Sequence, residues 1–210
     1  MVILILLLLV IDQGSKIYVK THMVLGERIR VTDWFYILFT ENPGMAFGWQ
    51  LFDKIFLTLF RIIASAGIMW ILVRTTRRSY PMGFLICIAL IFAGAVGNIF
   101  DSIFYGVIFD HSYGQIATPF PPSGGYAGWM HGKVVDMLYF PIIRSTYPAW
   151  IPSVGGEPFI FFSPIFNLAD ACISVGVIAL LIFYPHSFGH ILNSDEASRT
   201  EPNNAGQANG

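Results

Sequence analysis

Four long apolar stretches, at about 1–20, 55–73, 82–103 and 164–184, constrain this chain more than any other feature. The last runs 21 residues from Pro164 to Tyr184. As a helix that is roughly 31 Å, the thickness of a bilayer's hydrocarbon core. Charged residues make up 12% of the chain, against about 25% in a soluble domain. The expected class is therefore an all-α membrane protein with four transmembrane helices. Loops 21–54 and 104–163 then share one face and are expected to carry a small extended or β subdomain. Residues 1–184 form a single domain, and 185–210 form a polar tail expected to be disordered. A net charge of −1 argues against a nucleic-acid partner. The first stretch has signal-peptide length, yet it lacks a basic lead and an A-x-A site, so it reads as an uncleaved span. Cys87 and Cys172 sit in apolar runs and read as small buried hydrophobes rather than a disulfide.

Orientation follows from the basic residues. Loop 74–81 packs Arg74, Arg77 and Arg78 into eight residues, whereas Lys20, Arg28, Arg30 and Lys54 are spread thinly through 20–54 and offset by acids. The short loop is expected on the cytoplasmic side, and with four spans both termini join it. Trp34, Trp49, Trp129 and Trp150 then fall on the outer face, where they suit an interfacial belt.

Polar residues inside the spans carry the chemistry. An Asp at a helix centre costs about 2.5–3.5 kcal/mol on insertion, so each needs a partner or a task. Asp12, Lys16, Arg61, Asn98, Asp101, Asn167 and Asp170 nearly all fall toward the outer ends of their helices. Ser163 and Pro164 read as the N-cap and first residue of the fourth helix, which places Asp170 two turns inside it. "NIFD" (98–101) and "NLAD" (167–170) each put Asn and Asp on one helix face, as hydrogen-bond glue or as a site. Asp12 and Lys16 have the spacing of an ion pair. Arg61 reads as a snorkelling cation, and Gly94 and Gly97 as close-packing positions. In the loops, "TENPGMAFGW" (40–49), with Asn42, Gly44 and Gly48, is on its own a turn. "HGKVVDMLYFP" (131–141) surrounds Asp136 with apolar neighbours, which is unlike a solvated loop acid. His111 and His131 could join Asp110 or Asp136 on a metal, but no H-E-x-x-H or Cys/His pairing supports this, and no metal is expected.

In chain order stand "DQGSK" (12–16), "NPGMAFG" (42–48), "GAVGNIFD" (94–101), "GKVVD" (132–136) and "FNLAD" (166–170). Together they resemble the bacterial signal peptidase II family of intramembrane aspartyl proteases. The resemblance implies Asp136 and Asp170 as the catalytic acids, with Asp12, Lys16, Asn42, Gly44, Asn98, Asp101 and Asn167 binding substrate or supporting the pair. It also implies a diacylglyceryl-modified prolipoprotein as substrate, cut before its lipidated Cys. The expected setting is the bacterial cytoplasmic membrane, with the site near the outer face, membrane lipids around a monomer, and no cofactor. Loop 25–50 would roof an apolar cleft. Two positions depart from the family: Ser102 stands where Arg is usual, leaving Arg61 as the available neutraliser of Asp101, and Met137 stands where Phe is usual. Segments 102–131 and 140–163 read as insertions, and 110–132 as either a surface loop or a lid with exposed Tyr126 and Trp129. The main rival is a proton- or ion-coupled transporter, which would place acids near the midplane and show internal repeats. A non-enzymatic membrane scaffold is the third reading.

Overall fold

The computed structural model describes residues 1–44, 54–78 and 80–185. Gly48, Trp49, the end of the expected roof and the tail from 186 lie outside these. Among the described residues, three helices are long and apolar enough to cross a membrane. The first, α1, spans Val2–His22, and the second, α2, spans Lys54–Arg77, a turn beyond the apolar stretch that marks it. Helix α3 spans Met82–Phe100 and passes without a break into a π-helical turn, Asp101–Tyr105, and then α4, Gly106–Ile108. The third stretch therefore continues to Ile108 rather than ending at 103. Backbone hydrogen bonds from Met130 to Ile103 and from Gly132 to Ser102 hold the widened turn against the following loop. Helix α5, Leu168–Phe183, is apolar but only 16 residues long. Large apolar side chains such as Ile3, Val10, Ile63 and Ile182 point outward and are more than 60% exposed, which suits a lipid surround.

The fourth helix starts later than its sequence signals suggest. Ser163 and Pro164 precede a two-residue strand, β6 (Ile165–Phe166), and the cap is Asn167. Backbone pairing decides this. Strand β3 (Val134–Tyr139) takes Phe166 opposite Leu138 and Ile165 opposite Tyr139. Asp170 is thus the third residue of its helix, not a residue two turns inside.

Strand β3 lies inside a four-stranded antiparallel sheet ordered β1 (Arg28–Arg30), β2 (Tyr36–Asn42), β3, β6. Its pairing with β2 shifts between Ile37 and Thr40, a bulge that leaves Thr40 opposite Asp136 and Asn42 opposite Val134. A separate hairpin joins β4 (Ile143–Thr146) to β5 (Pro158–Phe161).

Two apolar cores divide the molecule along α1 and α3. Ile5, Leu72, Phe84, Leu85, Ile88 and Leu180 form one. Val19, Met23, Phe39, Tyr105, Val135 and Met137 are among those that form the other. The polar residues of α1 and α3 fall between them. Helices α3 and α5 meet tightly there: a Cβ added at Gly94 would lie 2.3 Å from the Ala169 carbonyl oxygen. The packing role expected of Gly94 is what this contact describes.

Candidate active site

Asn167 ties the site together because its cap geometry faces two ways. Its side-chain oxygen accepts the Asp170 backbone N–H at 2.9 Å, and the Asp170 carboxylate accepts the Asn167 N–H at 3.3 Å. This reciprocal capping box fixes Asp170 at the start of α5. The Asn167 amide then donates to the Asp136 carboxylate at 2.7 Å, to the Val135 backbone carbonyl at 3.3 Å and to the Asn98 side-chain oxygen at 3.2 Å. One wholly buried side chain therefore bridges strand β3 and helix α5. Asn98 mirrors it from α3, donating to Asp170 at 2.7 Å. The two Asn-x-x-Asp pairs thus meet, as their shared faces predict.

Behind this pair lies a layer of charge. Lys16, wholly buried, contacts Asp12 at 2.9 Å and Asp101 at 3.0 Å, and donates to Asn98 at 2.9 Å. The Asp12–Lys16 ion pair is present, and Lys16 rather than Arg61 is the cation on Asp101. Arg61 reaches Ser102 Oγ at 3.4 Å instead, because a helix α2 cation meets the π-turn one residue past Asp101. Asp12 spends its other oxygen on the Ala169 N–H at 3.0 Å, satisfying an open donor at the start of α5. Asp101 accepts the Val135 N–H at 3.3 Å, so it anchors the strand that carries Asp136.

Gln13 and Tyr105 belong to the same network and were not among the expected residues. Gln13 donates to Asp101 at 2.9 Å and accepts Tyr105 O–H at 3.0 Å. The "DQGSK" stretch placed Gln13 beside Asp12, but nothing in its spacing distinguished it from an outward-facing polar. Asn42 closes an Asx turn, accepting the Gly44 N–H at 2.8 Å, and its amide is near enough to Asp136 to favour the ionised carboxylate. Gly44 has φ +84°, and a Cβ there would meet the Arg61 guanidinium at 3.1 Å. Only glycine brings the backbone this close to that cation without strain.

Electrostatics act strongly on Asp136. Burial pushes the Asp136 carboxyl up to about 7 and the neighbouring Asp170 charge adds to the push, against hydrogen bonds from Asn167 and Asn42 and the attraction of Lys16. At neutral pH Asp136 therefore holds a proton for much of the time beside a second carboxylate. Such a pair can deprotonate water with one member while the other donates a hydrogen bond to a carbonyl.

The remaining candidates lie elsewhere. His131 Nδ1 contacts the Trp129 carbonyl oxygen at 2.8 Å, and Asp110 accepts the Thr118 N–H at 2.6 Å. Among the described residues, no three His, Cys, Asp or Glu side chains gather as metal ligands. Trp34, Trp129 and Trp150 are exposed, whereas Tyr126, expected exposed, is half-buried and accepts the Lys133 N–H at 2.6 Å. An apolar groove of about 430 Å³ opens between α1 and the sheet, lined by Ile11, Tyr18, Ile37, Met137 and Leu138 among others.

The chain is similar to known proteins over most of its length. Residues 4–185 match the profile of the family described as signal peptidase (SPase) II. A lipoprotein signal peptidase of Porphyromonas gingivalis is 56% identical over 191 residues, covering 90% of this chain and 84% of that protein. One from Amoebophilus asiaticus is 38% identical over 186 residues, covering 84% and 74%. A bacterial membrane enzyme solved by the in meso method at 2.3 Å resolution shares the fold, with a TM-score of 0.57 at 24% identity, over 96% of this chain and 92% of that one.

Proposed function

The chain belongs to the signal peptidase II family, and from that premise we propose that Asp136 and Asp170 are its catalytic acids. The family makes it a membrane protease, and the transporter reading finds no support. Its substrate is a diacylglyceryl-modified prolipoprotein, cut before the lipidated Cys, in keeping with the lipoprotein signal peptidases it resembles.

The observation that carries the assignment is the double grip of Asn167 on Asp136 and on the Asp170 turn. In the reaction the ionised acid takes a proton from water, and the water oxygen attacks the scissile carbonyl. The protonated acid donates to the carbonyl oxygen as it becomes tetrahedral. On collapse the first acid returns its proton to the leaving amine, and the C–N bond breaks. Asn98 and Asn167 hold the carboxylates in place, while Asp12, Lys16 and Asp101 hold the helix and strand that bear them. Asn42 and Gly44 border the site from β2. No step requires a cofactor.

The membrane arrangement is part of the proposal. Helix α5 serves as the fourth span; its 16 residues make roughly 24 Å of helix, and Tyr184 and Pro185 extend it. Arg74, Arg77 and Arg78 support a cytoplasmic α2–α3 turn and cytoplasmic termini. The site then faces outward from the bacterial cytoplasmic membrane, reached by substrate and lipid laterally. A single domain, 1–184, acts as a monomer, with 185–210 as a tail that from 186 lies outside the described residues. In a gel-shift assay on a lipidated prolipoprotein, Asp136→Asn and Asp170→Asn each abolish cleavage while the protein still inserts and purifies. Robust turnover by either variant refutes the paired-acid assignment.

A further inference from the structure

A second buried ionic cluster sits beside the dyad and plays no part in the mechanism above. Glu41 on β2 keeps its side chain only 3% exposed, and two cations meet it there. Lys20 Nζ, from the last turns of α1, lies 2.5 Å from its carboxylate, and Lys133 Nζ, just before β3, lies 3.1 Å away. Ser112, from the 102–131 segment, donates to Glu41 at 3.1 Å and accepts from Lys20 at 3.0 Å. The Phe39, Phe109 and Tyr126 rings surround the Lys20 ammonium, its Nζ 5.0–5.9 Å from their centroids. Lys133 also bonds the Tyr113 hydroxyl at 3.0 Å.

Such a cluster is a poor source of stability. Removing these charges from water is costly, and an apolar set of the same volume would hold the fold as well. What the ions supply is geometry. The β2–β3 ladder contains a bulge between Ile37 and Thr40, which interrupts the ladder just before Glu41 and leaves fewer main-chain bonds to hold the strands there. Glu41 stands opposite Val135, one residue beyond the Thr40–Asp136 pair, and Asn42 follows it. Slippage here would carry Asn42 away from Asp136.

We propose that Lys20, Glu41, Lys133 and Ser112 act together as positioning residues, a clamp that fixes β2 on β3 and keeps Asn42 against Asp136. On this reading the 102–131 segment braces the site, supplying Ser112, Tyr113 and Tyr126 to the clamp. The proposal rests on Asp136 being catalytic. The charged groups that act on Asp136 itself are Asp170 from α5, Lys16 from α1 and Arg61 from α2. None of them belongs to the clamp, which therefore acts through Asn42 and not through its own field.

The test uses the full-length purified protein and a lipidated prolipoprotein, with kcat, KM and pH profile measured for folded variants. Glu41→Gln, Lys133→Met and the apolar double variant Lys20→Met with Glu41→Leu should lower kcat roughly tenfold or more, with KM within about twofold, as misplacement of a reacting group does. The descending basic limb of kcat/KM should also move up by about half a unit, because Asp136 loses the nearby Asn42 amide, which favours its ionised form. Asn42→Ala should move the limb the same way, and Lys133→Arg should restore both readouts. Lys133 is partly exposed, so its variants keep the test open should the buried variants not fold. Folded variants with an unmoved limb and unchanged kcat overturn the clamp, as does a loss of folded protein with the limb unmoved. An active Asp136→Asn refutes the catalytic assignment instead, whatever the clamp variants do.

Discussion

Asp136 is a carboxylic acid whose surroundings set its charge against its ordinary tendency. Its pKa, raised by burial and by Asp170 to about 7, gives two expectations with definite sign. The proposed mechanism needs one proton on the pair, so kcat/KM should fall as pH rises through about 7, where Asp136 loses its proton. The same raised value is a folding penalty. Above the unfolded carboxyl value near 4, the native state resists ionisation, and the penalty is complete once pH passes 7. Asp136→Asn should therefore melt above the parent protein at pH 8, with the gap closing toward pH 4. A gap that widens toward acid pH contradicts this electrostatic account. Site residues were legible to the extent that their chemistry was out of place: Asp12, Asp101 and Asp170 in apolar helices, Asp136 in an apolar strand. Gln13 and Glu41 escaped notice and Lys20 read only as a loop cation, because an uncharged amide, or a charge near the end of an element, looks the same whether it faces inward or outward.

Helices were more readable than their ends. The spans at 2–22, 54–77 and 82–108 come from apolar length, which sequence displays directly. Where α5 begins is set by β3, which is distant in sequence and takes Ile165–Phe166 as a strand. No local signal could outweigh that pairing. The π-turn at Asp101–Tyr105 was equally hidden, since it depends on contacts with residues 130–132. Seams between helices give a paired prediction. Gly94→Ala drives a Cβ against the Ala169 backbone and should cost about 1–3 kcal/mol of stability. Gly97→Ala instead brings its Cβ to 2.6 Å from the Asp12 carboxylate. It should lower kcat more than Gly94→Ala at equal loss of melting temperature, because Asp12 holds the Ala169 N–H next to Asp170. Equal kinetic effects would mean that Asp12 merely packs.

At the scale of the whole molecule, two apolar cores bracket one polar layer, and the layer's depth decides which side of the membrane does chemistry. Single cysteines at Thr76 and Ser123, both exposed, in a background lacking Cys87 and Cys172, should label from opposite faces of sealed vesicles. Labelling from one face rules out the four-span arrangement. The sheet has a consequence for recognition. Many proteases read an extended substrate by letting it join a strand edge, so that main-chain bonds supply affinity and side-chain pockets supply selectivity. The strand bearing Asp136 has no edge to lend. On one side it is zipped to β2; on the other, β6 covers Leu138 and Tyr139, while the Val135 N–H goes to Asp101 and its carbonyl to Asn167. A peptide brought to this aspartate cannot align itself by hydrogen-bonding along that strand. Methylating the substrate's backbone nitrogens outside the scissile bond should then slow cleavage little, and a steep loss would reveal a strand-like mode of binding. An enzyme built this way gains little from the spelling of the peptide and much from whatever else delivers it, so one copy can serve many substrates whose common feature is not a sequence.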